Sequence, residues 1–559
     1  MNPDRRLALA IPIILVVLSG VIRLVQLDHP DRIIFDETYY VNDALDYMAN
    51  GVEDGFAVHP PVGKWMIAAG IAVFGDDPFG WRVSGAITGT LTVLLTYLIG
   101  ARLFRTRGAA AFAALLASVD GLLFVQSRTS MLDIFLALFV ALGAWLLLVD
   151  FDRTRLLDDD DIETRRMAPA DVATLQAEEI LVAGGSSDQP PPWSDAVPDP
   201  EPPAAAPVHL HYEEWLAAQR PEQPHVPRVG HALRLLAGAA FGLALATKWS
   251  GALALAAAVT ITLTWELAWR RRVTGTSRRD LAPLAASLVG AFVLIPLAVY
   301  FLTYIPWLVN FPVTTEGEKG CGEADDREAT EEPCQVDPLA RVQGLWRYQK
   351  EIYGFHRGLD ATHPYRSEAW KWPLLIRPVV YYYEGCDEAR ASLTAAVTST
   401  NSEGEEEVKE PCVVAQENAA EIIALGNPVV WWLGLLAMIP VLIGLWRGDR
   451  RAWFVFAFWV WQFGPWLIED RPLFFFYMTP VVPFIALMLG YTVVFLDEWR
   501  QERVARGAVP VWATPPGTLF GVVVAVLAVA VFLYFYPVYS GIELRYQLVR
   551  QHWWLDTWV

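Results

Sequence analysis

The sequence predicts an all-α polytopic membrane protein with about eleven transmembrane helices, its N-terminus cytoplasmic and its C-terminus outside. Three observations carry that expectation. The 559 residues are 54% hydrophobic and only 19% charged, with mean hydropathy +0.31, where soluble domains carry about 25% charge. Apolar runs approaching the roughly 20 residues needed to cross the hydrocarbon recur along the chain. Lys and Arg in the short connecting loops all fall on one side when eleven spans are threaded from a cytoplasmic N-terminus.

The spans lie near 7–27, 83–103, 109–126, 131–150, 232–247, 249–269, 282–304, 428–446, 452–468, 474–496 and 518–538, with 109–126 and 232–247 the shortest. Arg5 and Arg6 precede the first, and no small-residue cleavage site stands out after it, so it reads as an anchor. Arg102, Arg105 and Arg107 follow the second span, and Arg270, Arg271, Arg272, Arg278 and Arg279 follow the sixth. Arg447, Arg450 and Arg451 follow the eighth, and Arg500, Arg503 and Arg506 the tenth. An independent signal agrees: Cys321, Cys334, Cys386 and Cys412 all lie between the seventh and eighth spans, a segment the charge rule places outside. An oxidising exterior favours disulfides there. Sequence order suggests Cys321–Cys334 and Cys386–Cys412, one of three pairings that four cysteines allow.

The domain organisation follows. Residues 1–150 hold spans one to four and an outer loop, 28–82, that offers catalytic groups. Residues 151–231 form an acidic, Pro-rich cytoplasmic insertion whose composition cannot bury a core, so disorder is expected, with the Asp158–Asp161 run part of a solvated linker. Residues 232–304 carry spans five to seven, 305–427 form the outer disulfide-bearing loop, and 428–559 carry spans eight to eleven and an outer tail. The formal charge of −19 resides in the two inserted segments, 151–231 and 305–427, which leaves the embedded body near neutral. That acidity argues against a nucleic-acid surface, which needs clustered Lys and Arg. No Gly-rich phosphate loop, zinc-ligand spacing or internal repeat is evident.

Ionisable residues at the membrane face are costly and therefore candidates for function. Asp36 and Glu37 sit side by side in FDETYY; adjacent residues point in different directions, so one can face a substrate while the other holds structure. An N-cap at Asp36 with first-turn Glu37 is the structural alternative. In HPPVGK, His59 and Lys64 flank a tight Pro-Pro turn, with Lys64 a point charge for a phosphate or a snorkelling interfacial lysine. Arg128 lies outside, against the charge rule, and so either pairs with Asp133 or holds an anion; Asp120, inside a span, needs a polar partner. Lys248 in TKWSG, and Arg471 and Tyr477 in RPLFFFY, complete the outer face, with Lys248–Trp249 as an interfacial anchor the bland alternative. A carboxylate pair with several cations at one membrane surface suits a reaction between a lipid-linked phosphate and a hydroxyl acceptor.

These residues resemble the dolichyl- or polyprenyl-phosphate-mannose–protein mannosyltransferases in their bacterial form. The resemblance rests on FDETYY, VHPPVGK at 58–64, FGWR at 79–82, SRTSMLD at 127–133, ATKWSG at 246–251, FHRGLDATHPYRSEAWKWPLLIRPV at 355–379 and RPLFFFYMTPVVPF at 471–484, in the family's order. It implies a C-type glycosyltransferase fold and an inverting transfer of mannose from polyprenyl-phosphate-mannose to Ser or Thr hydroxyls of secreted or membrane proteins. Asp36 stands at the family's catalytic base and Glu37 at the second motif position, with a positioning role. Arg128 matches an arginine of donor handling, and Lys64 is by analogy a phosphate contact. His59, Asp133, Lys248, Arg471 and Tyr477 match motif positions whose individual roles stay unassigned. His356, His363, Trp370 and Trp372 belong to an outer-loop block for which acceptor binding and loop packing are both open. No cofactor is implied, a divalent metal being compatible but unneeded because Arg and Lys can neutralise the donor phosphate. The partners implied are the lipid donor, the protein acceptor and the bilayer, with the protein-export machinery as a further candidate and no nucleic acid. The expected location is the plasma membrane with the site on its extracytoplasmic side. The outer loop is too short, and too different in composition, for the β-trefoil module of eukaryotic members. Rival readings are a lipid-linked sugar transferase acting on cell-wall glycan or lipid, and a lipid-linked sugar transporter. The later motif blocks disfavour the first. The second needs charge through the bilayer centre and paired broken helices.

Overall fold

Helices form wherever the sequence is apolar over more than three turns, and each of the eleven expected spans coincides with one or more of them. The computed structural model describes residues 3–53, 58–153, 232–273, 278–314, 317, 337–359, 363–385, 397–400, 406–409, 417–506 and 514–558. The four cysteines, with their expected disulfides, and all but the first three residues of the 151–231 insertion lie outside the described residues.

The N-terminal half contributes α1 (Pro3–Leu24), α2 (Glu37–Asn50), α3 (Val62–Phe74), α4 (Pro78–Phe104), α5 (Arg107–Ser118), α6 (Gly121–Gln126) and α7 (Leu132–Arg153). After the insertion come α8 (Ala232–Leu245), α9 (Gly251–Val273), α10 (Arg278–Val289) and α11 (Ile295–Leu302), the last two joined by a π turn at Gly290–Leu294. The stretch after α11 holds α12 (Ile305–Val309) and α13 (Pro338–Gly358), and the C-terminal half α14 (Pro428–Trp446), α15 (Arg450–Phe463), α16 (Val482–Ala505), α17 (Pro516–Ser540) and α18 (Tyr546–Gln551). Among the described residues seven helical stretches are long and apolar enough to cross a membrane, and four apolar helices are shorter. The chain is a multi-pass membrane protein.

Three expected spans are interrupted, each for a local reason. The run 109–126 breaks between α5 and α6 because Asp120 caps α6, accepting from Leu123 N at 3.0 Å. Asp120 finds its polar partners in Asn427 N at 3.0 Å and Trp431 Nε1 at 2.7 Å. The run 452–468 leaves α-geometry at Gly464–Pro465 and ends in a 3-10 turn, Gly464–Ile468, since proline denies the ladder a donor. The run 474–496 begins as a 3-10 turn, Phe475–Val481, containing Pro480, and only then becomes α16.

The stretch between α13 and α14 also departs from the all-α expectation. Val379–Glu384 (β1), rich in Val and Tyr, pairs antiparallel with Asn418–Ala424 (β4), which pairs with Leu544–Arg545 (β5). Val397–Thr400 (β2) and Glu406–Lys409 (β3) form a separate hairpin. β-Branched and aromatic residues outside lipid can satisfy their backbone by cross-strand pairing, which the span-counting pattern does not register.

The centre of the helical body is α7 and α16: the apolar windows of Leu132–Arg153 and Phe475–Ala505 are 72% and 83% buried, against 28% for α17. Close approach at Gly63 sets the site. A Cβ there would lie 2.6 Å from Leu132 Cδ2 and 3.2 Å from Thr247 Cγ2, so glycine lets the first turn of α3 rest on α7 without displacing those side chains.

Candidate active site

The site is built around the first turn of α2. Phe35 occupies left-handed backbone at φ 50°, a conformation costly for a bulky residue. Its ring offsets that cost by stacking on Tyr381 at 4.4 Å and meeting Phe476 edge-on at 5.9 Å. The turn sends the two carboxylates of FDETYY in opposite directions. Glu37 is fully buried and clasps Arg82, with Nε–Oε1 at 2.8 Å and Nη2–Oε2 at 2.9 Å. It also accepts from Ile34 N at 3.0 Å and Ser130 N at 2.9 Å. Asp36 begins the opposite face, on which Tyr39, Tyr40 and Asp43 follow at helical spacing, and all four line one cavity of about 350 Å³. The Asp36 side chain caps no backbone amide.

The HPPVGK turn forms the adjoining wall. Val62 N donates to Ala246 O at 3.0 Å, which docks the start of α3 against the loop carrying Lys248. Lys64 is buried between Asp43, at 2.9 Å, and Glu53, which also receives the Tyr348 hydroxyl. His59 is buried, its ring 5.3 Å from that of His356, and its Nδ1 has no partner among the described residues. His356 donates from Nε2 to Val58 O at 2.9 Å, tying α13 to the turn.

The cationic wall comes from two later segments. Lys248 Nζ is held by both oxygens of Asp133, at 3.0 and 2.9 Å, and sits 4.5 Å from the Tyr477 ring centroid. Arg471 packs over Trp466 and Tyr477 at 5.6 and 5.5 Å, its one ion pair among the described residues being a 3.8 Å contact to the half-exposed Glu469.

The structure thus brings Asp36, His59, Lys64, Lys248, His356, Arg471 and Tyr477 to one cavity and leaves Glu37, Arg128, Asp133 and His363 out of its lining. Asp133 stands behind Lys248, so the alternative Arg128–Asp133 pair does not form. Arg128 instead donates to the carbonyls of Arg23, Val25 and Gln26 at 2.9, 2.6 and 2.8 Å, stitching α6 to the end of α1. His363 packs edge-on against Phe474 at 5.1 Å. Trp372 is buried with its indole N–H on Ser367, while Trp370 is exposed. Sequence reading missed Asp43 and Glu53, which hold Lys64, and Tyr348, which holds Glu53. Only Asp43 carried a signal, as the position two turns after Asp36.

Burial sets the protonation states. It raises the Asp36 pKa to about 6, against the opposing pull of Lys248 and with a smaller push from Asp133. Burial lowers His356 to about 4 and His59 well below the ordinary imidazole value, with nearby cations adding to both shifts. The cavity at neutral pH therefore offers Asp36 as an ionised, unusually basic carboxylate, two neutral imidazoles, and Lys248 and Arg471 as cations beside the Lys64–Asp43 ion pair. Among the described residues no group of three or more His, Cys, Asp or Glu side chains converges as a metal site.

Family models match most of the chain. The C-terminal four-transmembrane region of protein-O-mannosyltransferase matches residues 341–558, and two models of dolichyl-phosphate-mannose-protein mannosyltransferase match 58–157 and 13–86. The polyprenol-phosphate-mannose–protein mannosyltransferase of Mycobacterium tuberculosis is 32% identical over 94% of this chain and 86% of its own length. That of Mycolicibacterium smegmatis is 30% identical over 99% and 94%. The chain belongs to the polyprenol-phosphate-mannose–protein mannosyltransferase family. Its fold is shared with the Saccharomyces cerevisiae Pmt1–Pmt2 protein O-mannosyltransferase complex bound to the sugar donor, at TM-score 0.67, 13% identity and coverage of 100% and 93%. That likeness supports the C-type glycosyltransferase fold expected of this mannosyltransferase. One consequence of the packing can be checked directly. Arg128→Lys should fail to restore the melting temperature lost in Arg128→Ala, because an ammonium cannot reproduce the guanidinium fork that bridges three carbonyls; full rescue by Lys in a thermal-shift assay would show that charge alone suffices.

Proposed function

We propose that this mannosyltransferase moves mannose from polyprenyl-phosphate-mannose to Ser or Thr hydroxyls of exported proteins, in the cavity at Asp36. The observation that carries the reading is the convergence of Asp36, Lys248 and Arg471 on one cavity. The acceptor oxygen attacks C1 of mannose from the face opposite the phosphate. The new C1–O bond forms as the old one breaks, its electrons pass to the departing phosphate, and the hydroxyl proton goes to Asp36. Lys248 and Arg471 stabilise the phosphate as it gains charge. Glu37 acts through Arg82 and the Ser130 amide to fix the loop that aims Asp36. Lys64, bracketed by Asp43 and Glu53, serves the shape of the wall rather than supplying an open cation. Burial makes His356 a weaker base than Asp36 and pulls His59 well down from the ordinary imidazole value, so Asp36 is the group that takes the hydroxyl proton.

The reading extends to topology. All eleven runs cross the plasma membrane, with the N-terminus inside and the site and 305–427 outside. Residues 1–150, 232–304 and 428–559 form the catalytic body, and 151–231 a cytoplasmic insertion. The export machinery supplies acceptors at the outer face before they fold.

Two results test the assignment. Membranes holding the full chain, given polyprenyl-phosphate-[³H]mannose and a Ser/Thr-rich peptide, should label the peptide in a form released by alkaline β-elimination. Label entering only glycan or lipid would replace the protein acceptor with another. Arg471→Ala should raise the donor KM and cut kcat/KM on the order of 10²-fold, as loss of one charge-stabilising group does. An unchanged donor KM and kcat would remove Arg471 from phosphate binding.

A further inference from the structure

Helix α13 carries two apolar stripes, and among the described residues only one is covered. Leu345, Tyr348 and Ile352 are buried, with the Tyr348 ring 5.5 Å from that of Trp307. Leu339, Val342, Trp346 and Tyr353 are 61%, 59%, 60% and 54% exposed. At 3.6 residues per turn these four fall within a sector of about 60°. Two exposed cations border that stripe. Lys350 Nζ lies 5.7 Å from the Trp346 ring centroid, and Arg357 Nη1 donates to the Tyr353 hydroxyl at 3.2 Å. Glu351 falls on another side of the helix.

The stripe continues a surface that faces hydrocarbon. Arg341 Nη1 ties the start of α13 to the carbonyls of Leu308 and Val309, at 2.5 and 2.8 Å. Ile305, Val309 and Val313, beside that tie, are exposed, as are Phe301 and Leu302 at the end of α11. The apolar window of Leu281–Leu302 is only 28% buried. An apolar stripe with Trp and Tyr, edged by Lys and Arg and level with a helix end, matches what a bilayer interface takes up.

We propose that α13 is seated in the outer leaflet, its Leu339–Tyr353 stripe among the acyl chains and Lys350 and Arg357 on the phosphates of anionic phospholipid. The seating bears on activity through the helix's other contacts. Tyr348 holds Glu53 of the Lys64 cluster, and Phe355 and His356 line the cavity. Outer-leaflet lipid therefore fixes one wall of the site. This step rests on the topology proposed above, and its first test needs no turnover.

The full chain is placed in nanodiscs of phosphatidylglycerol or phosphatidylcholine with p-benzoylphenylalanine at position 346 or, as control, 351. Illumination should give phospholipid adducts at 346 about tenfold over 351, as expected for a side chain in the acyl region against one in water. Adducts confined to polypeptide, whether another segment of this chain or a second copy, overturn the seating, as do equal lipid adducts at both positions. Transfer at limiting donor should be higher in phosphatidylglycerol, and Lys350→Glu and Arg357→Glu should each reduce that preference about fivefold. Equal activity in both lipids, or a preference unmoved by either substitution, overturns the phosphate contact.

Discussion

Replacing Asp36 by Asn should lower kcat for mannosyl transfer on the order of 10³-fold while leaving donor binding nearly intact. The magnitude follows from general-base assistance, worth about 10² to 10⁴. Asparagine keeps the side chain's volume but cannot take the hydroxyl proton. The wild-type pH profile should show the same group. A base must be deprotonated to act, so with a pKa raised by burial to about 6 the rate at limiting acceptor should level off above that value. It should fall tenfold per pH unit below it, where an unperturbed Asp would hold activity down to about pH 4. Neutral His59 and His356 add no second break between pH 6 and 8. Steady-state kinetics from pH 4.5 to 8.5 check both statements. Transfer by the Asn variant at the wild-type rate would remove Asp36 from the chemistry.

Glu37→Ala should act through stability instead. Arg82 is fully buried, and among the described residues its hydrogen bonds besides those to Glu37 go to the carbonyls of Leu27, Pro30 and Arg32. Deleting the carboxylate leaves that charge uncompensated, a change worth about 3–5 kcal/mol. The variant should be poorly recovered in detergent or melt many degrees lower. The double variant Glu37→Gln, Arg82→Met, which removes both charges, should recover much of that loss. A melting temperature for Glu37→Ala within a degree or two of wild type would show the pair to be dispensable. Together the two substitutions separate a motif whose adjacent acids look equivalent in sequence: Asp36 should fail in turnover, Glu37 in folding.

The helical scaffold was legible because lipid imposes its pattern locally. About 20 apolar residues and an asymmetry of Arg in short loops are readable without knowing a single contact. The breaks were not legible, because Asp120 and Gly464–Pro465 end helices through caps and missing donors that a hydropathy window averages away. The strands β1 and β4 lie between the long apolar runs, where the span pattern is silent, and their pairing spans many residues of intervening chain. Asp36, Lys248 and Arg471, which line one cavity, stood out in the sequence because charge beside a long apolar run is expensive. How those charges pair was not readable. Lys64 looked like an open cation until Asp43 and Glu53 closed on it, and Arg128 looked like an anion site until three carbonyls filled its fork. Pairing among buried charges is decided by tertiary approach, here by Gly63 letting α3 rest on α7. Arg82 stood in the quoted FGWR block without a role for the same reason.

The proposed transfer is a single displacement at mannose C1, with Asp36 acting on the acceptor proton and never on the sugar. The most direct measurement is the anomeric configuration of mannose on the peptide product, read by NMR after transfer from a β-linked polyprenyl-phosphate-mannose. Attack by the Ser or Thr oxygen opposite the departing phosphate predicts α-linked mannose. A β-linked product would mean two displacements, with a carboxylate of the cavity as the first nucleophile, and would contradict the mechanism.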